Sequence, residues 1–172
     1  EYDGSYSGNV AEEVKITNAS YLFYYGARTD ILNDLLKMLE KPTAMERMFY
    51  NNHNITELDL SSVDTSNVTT FQEMFYNCSY LEEVNMNNCN TSKATHTQSM
   101  FSSCSRLTEL DLSSFDMSKV QYLSNMFINC SQLITLKSFK NLGKAYTRET
   151  NDYMHYKLYL GSSTLLSYES LV

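Results

Sequence analysis

Two rhythms of apolar residues alternate along this chain. Around Leu58-Asp59-Leu60, Val84-Asn85-Met86 and Leu110-Asp111-Leu112, apolar and polar residues alternate with a period of two, the mark of a strand with one covered face. Between the first two of these, Val68, Phe71, Met74, Phe75 and Cys78 are spaced 3, 3, 1 and 3 apart, which predicts a short amphipathic helix. Thr43-Ala-Met-Glu46, Thr69-Thr-Phe-Gln72 and Thr95-His-Thr-Gln98 have the T-x-x-E/Q form of a capping box and predict where such helices start. The segment 30–39 predicts a further amphipathic helix with Ile31, Leu32, Leu35, Met38 and Leu39 on its apolar face.

Both rhythms recur with one step. Met48-Phe49 returns as Met74-Phe75, Met100-Phe101 and Met126-Phe127, 26 residues apart each time. Ile55, Leu81, Leu107 and Leu133 keep the same step, as do Leu58, Val84, Leu110 and Leu136, and Leu60, Met86 and Leu112. Val63, Cys89, Phe115 and Asn141 complete the unit, which reads L-x-x-L-x-L-x-x-(N/C) in Leu81–Cys89. A repeat of this length and signature is that of leucine-rich repeats, whose units run from about 20 to 29 residues. One unit cannot bury its own apolar face, so the repeats are expected to stack.

Leu58–Cys78 and Leu110–Cys130 resemble the BspA-like leucine-rich repeats of bacterial surface proteins, found also in mycoplasma lipoproteins. Segments 18–28 and 138–144 look like the ends of such repeat blocks, so the resemblance covers essentially the whole chain. It implies an α/β leucine-rich repeat solenoid: a right-handed coil with a parallel β-sheet on one face and short helices on the other. It also implies a secreted, cell-surface or wall-associated protein whose relatives include adhesins, and it supplies no catalytic residues. The expected organisation is a capping segment over 1–41, four repeats over 42–141 with the last incomplete, and a strand plus the start of a further turn over 142–172. The start at Glu1 and the tail Ser167–Val172 suggest a piece of a longer protein.

Composition narrows the partners. Thirteen basic residues against twenty acidic ones give a net charge of −7, and no run of lysine or arginine occurs, which argues against nucleic acid and anionic membrane. No stretch of 18 apolar residues exists to span a bilayer. Six N-x-S/T sequons, at Asn18, Asn54, Asn67, Asn77, Asn90 and Asn129, follow from a composition rich in Asn, Ser and Thr.

Residue types that carry chemistry are present without the spacing chemistry needs. Cys78, Cys104 and Cys130 keep the 26-residue step and Cys89 stands in another column. In-register side chains point the same way rather than converging, which disfavours a disulfide, and no C-x2-4-C pair suggests zinc. Buried, reduced thiols are expected. His53, His96 and His155 share no column and no acid–base arrangement. No metal or cofactor is expected.

The candidate binding surface is the outward face of the strands. With Leu58 and Leu60 inward, Glu57 and Asp59 point out, followed by Glu83, Asn85 and Asn87, then Glu109 and Asp111, then Lys137. A uniform in-register stack would set Glu57, Glu83 and Glu109 about 5 Å apart, where adjacent carboxylates repel by about 0.8 kcal/mol even at the dielectric of water. Three readings fit such a face: a solvated surface, a basic-protein or glycan partner, or a bound cation. The functional expectation is a monomeric, non-enzymatic extracellular module that binds a host-cell or neighbouring-cell protein or glycan. The alternatives are a structural spacer in a larger surface protein and, more remotely, a polysaccharide-active enzyme using Glu57 with Asp59 or Glu109 with Asp111.

Overall fold

The computed structural model describes residues 15–27, 29–137, 140 and 141. Among these residues it is a small α/β structure with one short helix, α1 (Leu32–Lys37), and four short strands: β1 (Glu57–Asp59), β2 (Glu83–Asn85), β3 (Glu109–Asp111) and β4 (Thr135–Lys137). β1 pairs with β2 in parallel, Glu57 opposite Glu83 and Leu58 opposite Val84, and β3 pairs with β4 with Leu110 opposite Leu136. Each pair is offset by one 26-residue unit, so successive repeats lie one over the next.

The interior follows the columns read from the sequence. Ile55, Leu81, Leu107 and Leu133 are buried, as are Leu58, Val84, Leu110 and Leu136. Down the middle runs a stack of rings, Phe23, Phe49, Phe75, Phe101 and Phe127, with neighbouring centroids 5.1, 5.4, 5.3 and 5.9 Å apart and planes within 13° of parallel. Met45, Met48, Met74, Met100 and Met126 fill the space beside them with no exposure. Asn141 departs from its column: it is exposed, and its side-chain amide donates to Asp116 Oδ1 at 3.0 Å.

The second rhythm gives the predicted burial on a different backbone. Val68, Phe71, Met74, Phe75 and Cys78 are all buried, yet the segment is a run of turns rather than a helix, and so are its counterparts. Left-handed backbone recurs every fourth residue: Arg47 and Asn51, Glu73 and Asn77, Ser99 and Ser103, Asn125 and Asn129. Alternate amides then point to the neighbouring repeat. Phe49 N–H donates to Met74 C=O at 2.9 Å and Asn51 N–H to Tyr76 C=O at 2.8 Å, while Tyr50 and Asn52 N–H bond back to Arg47 and Phe49. A helix would keep every bond within its own segment. A segment of about eight residues gains little from that because nucleation is costly, whereas the stacked repeat offers acceptors along its whole length.

The capping boxes dissolve for the same reason. Thr43, Thr69 and Thr95 do not cap; each donates both its N–H and its hydroxyl to the carbonyl of the threonine one repeat earlier, Thr17, Thr43 and Thr69, at 2.8 to 3.2 Å. At the other end α1 forms within the predicted segment, burying Leu32 and Leu36 with Leu39 just beyond it, while Ile31 lies exposed rather than on the apolar face.

Candidate functional site

The outward face of β1–β4 takes its geometry from the alternation of the strands. Leu58, Val84, Leu110 and Leu136 point inward, and Glu57, Asp59, Glu83, Glu109, Thr135 and Lys137 are exposed, with Asn85 and Asp111 half-buried. All the candidate residues therefore share one surface, with Asn87 exposed just past β2. Two open hollows lie on it. One of about 460 Å³ is lined by Glu83, Asn85, Asn87, Glu109, Asp111 and Lys137 among others, and one of about 430 Å³ lies between α1 and β1, against Leu32, Asn33, Glu57 and Asp59.

Part of this face serves the backbone. Asp59, Asn85 and Asp111 occupy one column, and each accepts from the N–H two residues on, Ser61 at 2.8 Å, Asn87 at 3.2 Å and Ser113 at 3.0 Å. These Asx turns end the strands, and asparagine serves as well as aspartate because both offer the same carbonyl-type oxygen. Ser61 holds the Asp59 carboxyl below its ordinary range. At Asp111 the hydrogen bonds from Ser113, joined by Lys137 Nζ at 2.9 Å, bring it down to about 2. Lys137 is raised in return, chiefly by that same hydrogen bond.

The glutamates are not the uniform stack expected. Glu57 and Glu83 sit in register, but β2 and β3 touch without ladder pairing, so the sheet divides into two pairs. A side chain still bridges the repeats there: Ser114 Oγ donates to the Met86 carbonyl at 3.1 Å, as the Asn88 amide does to Ser61 C=O at 3.2 Å beside the paired strands. The larger hollow lies at this seam, between the rung Asn85-Met-Asn-Asn-Cys89 and the next.

The thiols are structural. Cys78, Cys89, Cys104 and Cys130 are free and buried. Cys78, Cys104 and Cys130 donate to the carbonyls of Phe49, Phe75 and Phe101 at 3.0 to 3.1 Å. Burial pushes Cys78, Cys89 and Cys130 up to about 12 and Cys104 well above the usual thiol value. His53 bonds Ser79 Oγ at 3.0 Å and His96 stacks on Tyr122, while His155 lies outside the described residues. No cluster of three metal-ligating side chains occurs among the described residues, and none of their helices is long and apolar enough to cross a membrane.

Residues 43–156, which hold the stacked repeats, match the family described as mycoplasma protein of unknown function, DUF285. The chain belongs to the DUF285 family. No curated protein and no solved structure matches it. The matched part of this DUF285 chain begins at Thr43, at the threonine ladder, and takes in all four strands.

A second surface of this DUF285 protein lies away from the strands. Tyr24, Tyr50 and Tyr76 stack on the turn side with centroids 4.9 Å apart, beside the exposed Tyr21 and Tyr25. Arg47 lies 5.8 Å from the Tyr21 ring centre and 5.7 Å from that of Tyr50, and its Nε contacts Glu73 Oε2 at 2.6 Å. Hydrogen bonding with Tyr25 raises the Tyr24 phenol above its ordinary value, and burial raises that of Tyr50, so both stay protonated. The available signal was Ser20-Tyr-Leu-Phe-Tyr-Tyr-Gly26, a turn segment with three tyrosines at outward positions.

Proposed function

We propose that this DUF285 chain is a leucine-rich-repeat solenoid of the BspA-like kind, acting outside the cell as a non-enzymatic binding module. Its sheet face would contact a protein or glycan of a host or neighbouring cell. The observation that carries this is the division of labour along each strand. Inward residues are wholly committed to the core, while Glu57, Glu83 and Glu109 are exposed and have no packing task. Stacked repeats make extended surfaces of this kind, and unneutralised carboxylates steer a cationic partner toward them.

An acid–base reading of the same face is weaker. Asp59 and Asp111 each hold the amide that ends their strand, and Asp111 also holds Lys137, so one member of each carboxylate pair is engaged in structure. A spacer role remains the second reading, favoured by the self-contained phenylalanine stack, which needs no ligand to complete it.

The test is binding of the chain to intact host cells and matrix proteins at two salt concentrations. Binding that weakens with salt and falls about tenfold in Glu83→Lys/Glu109→Lys supports the module. Binding indifferent to both changes, or none above background, removes the sheet face from consideration.

A further inference from the structure

Tyr21 and Tyr25 adopt φ of 62° and 64°, the left-handed region, and are 45% and 66% exposed. A bulky side chain there is an outlier that costs about 1–2 kcal/mol, and neither ring enters the core. The other repeats place Arg47 and Asn51, Glu73 and Asn77, Ser99 and Ser103, or Asn125 and Asn129 at these two positions. Among the described repeats only the first puts aromatic rings there, on an already tyrosine-rich turn.

The surroundings hold the rings in place. Tyr25 stands edge-on to Tyr24 and Tyr50, at 83° and 85°, with centroids 4.3 and 6.2 Å away. Tyr24 stacks on Tyr50 and Tyr50 on Tyr76. Arg47 donates to the Tyr21 hydroxyl at 3.0 Å, and that hydroxyl donates to Glu46 Oε1 at 3.0 Å. Beside the rings, the Asn77 amide donates to Asn51 Oδ1 at 2.8 Å. The result is a preorganised surface of mutually packed tyrosine rings with phenol and amide groups beside them, and preorganisation lowers the cost of binding.

The geometry points to a neutral carbohydrate site on this patch, separate from the sheet face, with Tyr21 and Tyr25 as the platforms for pyranose rings. A pyranose has an apolar C–H face and a rim of hydroxyls, which matches flat tyrosines edged by Tyr24, Tyr50 and Asn51. Charge favours a neutral sugar: among the described residues the one guanidinium in the patch, Arg47, is paired with Glu73 and lies 4.0 Å from Glu46, so it is not free for a sialyl or sulfated group. Size disfavours a protein. A few tyrosines, at about 150–250 Å² each and partly covered by one another, fall short of the roughly 800 Å² per partner of a stable protein interface.

The test uses the 172-residue chain and saturation-transfer NMR with maltohexaose, chitohexaose and a sulfated hexasaccharide. At least one neutral hexasaccharide is expected to bind with a dissociation constant on the order of mM, and the sulfated one more weakly. Tyr21→Asn/Tyr25→Asn should lose about tenfold or more in affinity while melting no lower than the parent, because asparagine tolerates left-handed backbone. Tyr122→Ala, at an exposed tyrosine stacked on His96, should bind as the parent does. The proposal is overturned if no neutral sugar binds at mM concentrations, if the double variant binds undiminished, or if the sulfated sugar binds best.

Discussion

Lys137 reaches back one whole repeat to Asp111, Nζ to Oδ2 at 2.9 Å, while Oδ1 of the same carboxylate holds the Ser113 amide at 3.0 Å. One side chain thus ends its own strand and clips the next. The folded carboxyl, at about 2, lies below the ordinary value of 3.8, so its contribution is complete above about pH 4 and is lost as pH falls toward 2. The pair weakens again only when pH rises through the raised value of Lys137. Asp111→Asn should keep the turn, as Asn85 does naturally, and lessen the loss of thermal stability between pH 4 and 2, part of which Asp59 still carries. A pH series of melting curves for parent and variant checks this.

Phe75 lies between Phe49 and Phe101 in the central stack and is 1% exposed. Phe75→Ala leaves a cavity bounded by two rings that cannot both close on it, and should cost about 3–5 kcal/mol. Chemical denaturation followed by circular dichroism gives the number. Tyr122→Ala, on the surface, should cost under about 1 kcal/mol.

The thiol column predicts chemical silence. With Cys78, Cys89 and Cys130 pushed up to about 12 by burial and Cys104 raised well above the usual thiol value, a disulfide-exchange reagent at pH 8 should label none of the four in the folded chain and all of them in denaturant. Rapid labelling of the folded protein would show that repeats open locally.

Glu57 and Glu83 face each other across β1 and β2. Glu83→Gln removes that repulsion and should stabilise by no more than about 0.8 kcal/mol, less in high salt. If the gain is larger, Glu109 acts on Glu83 across the seam despite the missing ladder.

Ser99 holds left-handed backbone with φ of 54°. Ser99→Asn should raise stability by about 0.5–1 kcal/mol, since asparagine is more at home there. Ser99→Val should lower it, because a β-branched side chain in that region clashes with its own backbone. Melting temperatures of the two variants order them.

The stacking of the repeats was legible because burial repeats with the chain, and Leu58, Val84 and Leu110 could be read inward from spacing alone. The turn segments were not, because spacing fixes which residues are buried and not where amides bond. Phe71, Met74, Phe75 and Cys78 sit 3, 1 and 3 apart, which a helix and a run of four-residue turns satisfy equally. The distinguishing sign lay in the polar residues between them: Asn51, Asn77, Asn125 and Asn129 occupy left-handed positions, and asparagine is among the few residues suited to them. The capping-box pattern misled because a threonine hydroxyl finds a carbonyl on the stacked repeat as readily as an amide on its own.

The strands alternate as their spacing requires, but the separate tasks of their outward residues are not visible in it. Asp59 and Asp111 look like Glu57 and Glu109 in charge and differ in standing at the strand ends, where the shorter side chain accepts from the turn amide two residues on. Nor could the period show that β2 and β3 part company, since the substitution at Asn85–Cys89 changes side chains and leaves the spacing intact.

The amides of the turn segments reach partners 25 positions along the chain, and the threonine amides reach partners 26 positions back. A gene that gains or loses one whole unit between two equivalent residues therefore restores every such partnership at the join. Any other change of length shifts an entire register. A protein built this way can grow or shorten by recombination between its own repeats, keeping its interior constant while its outward residues are dealt out anew.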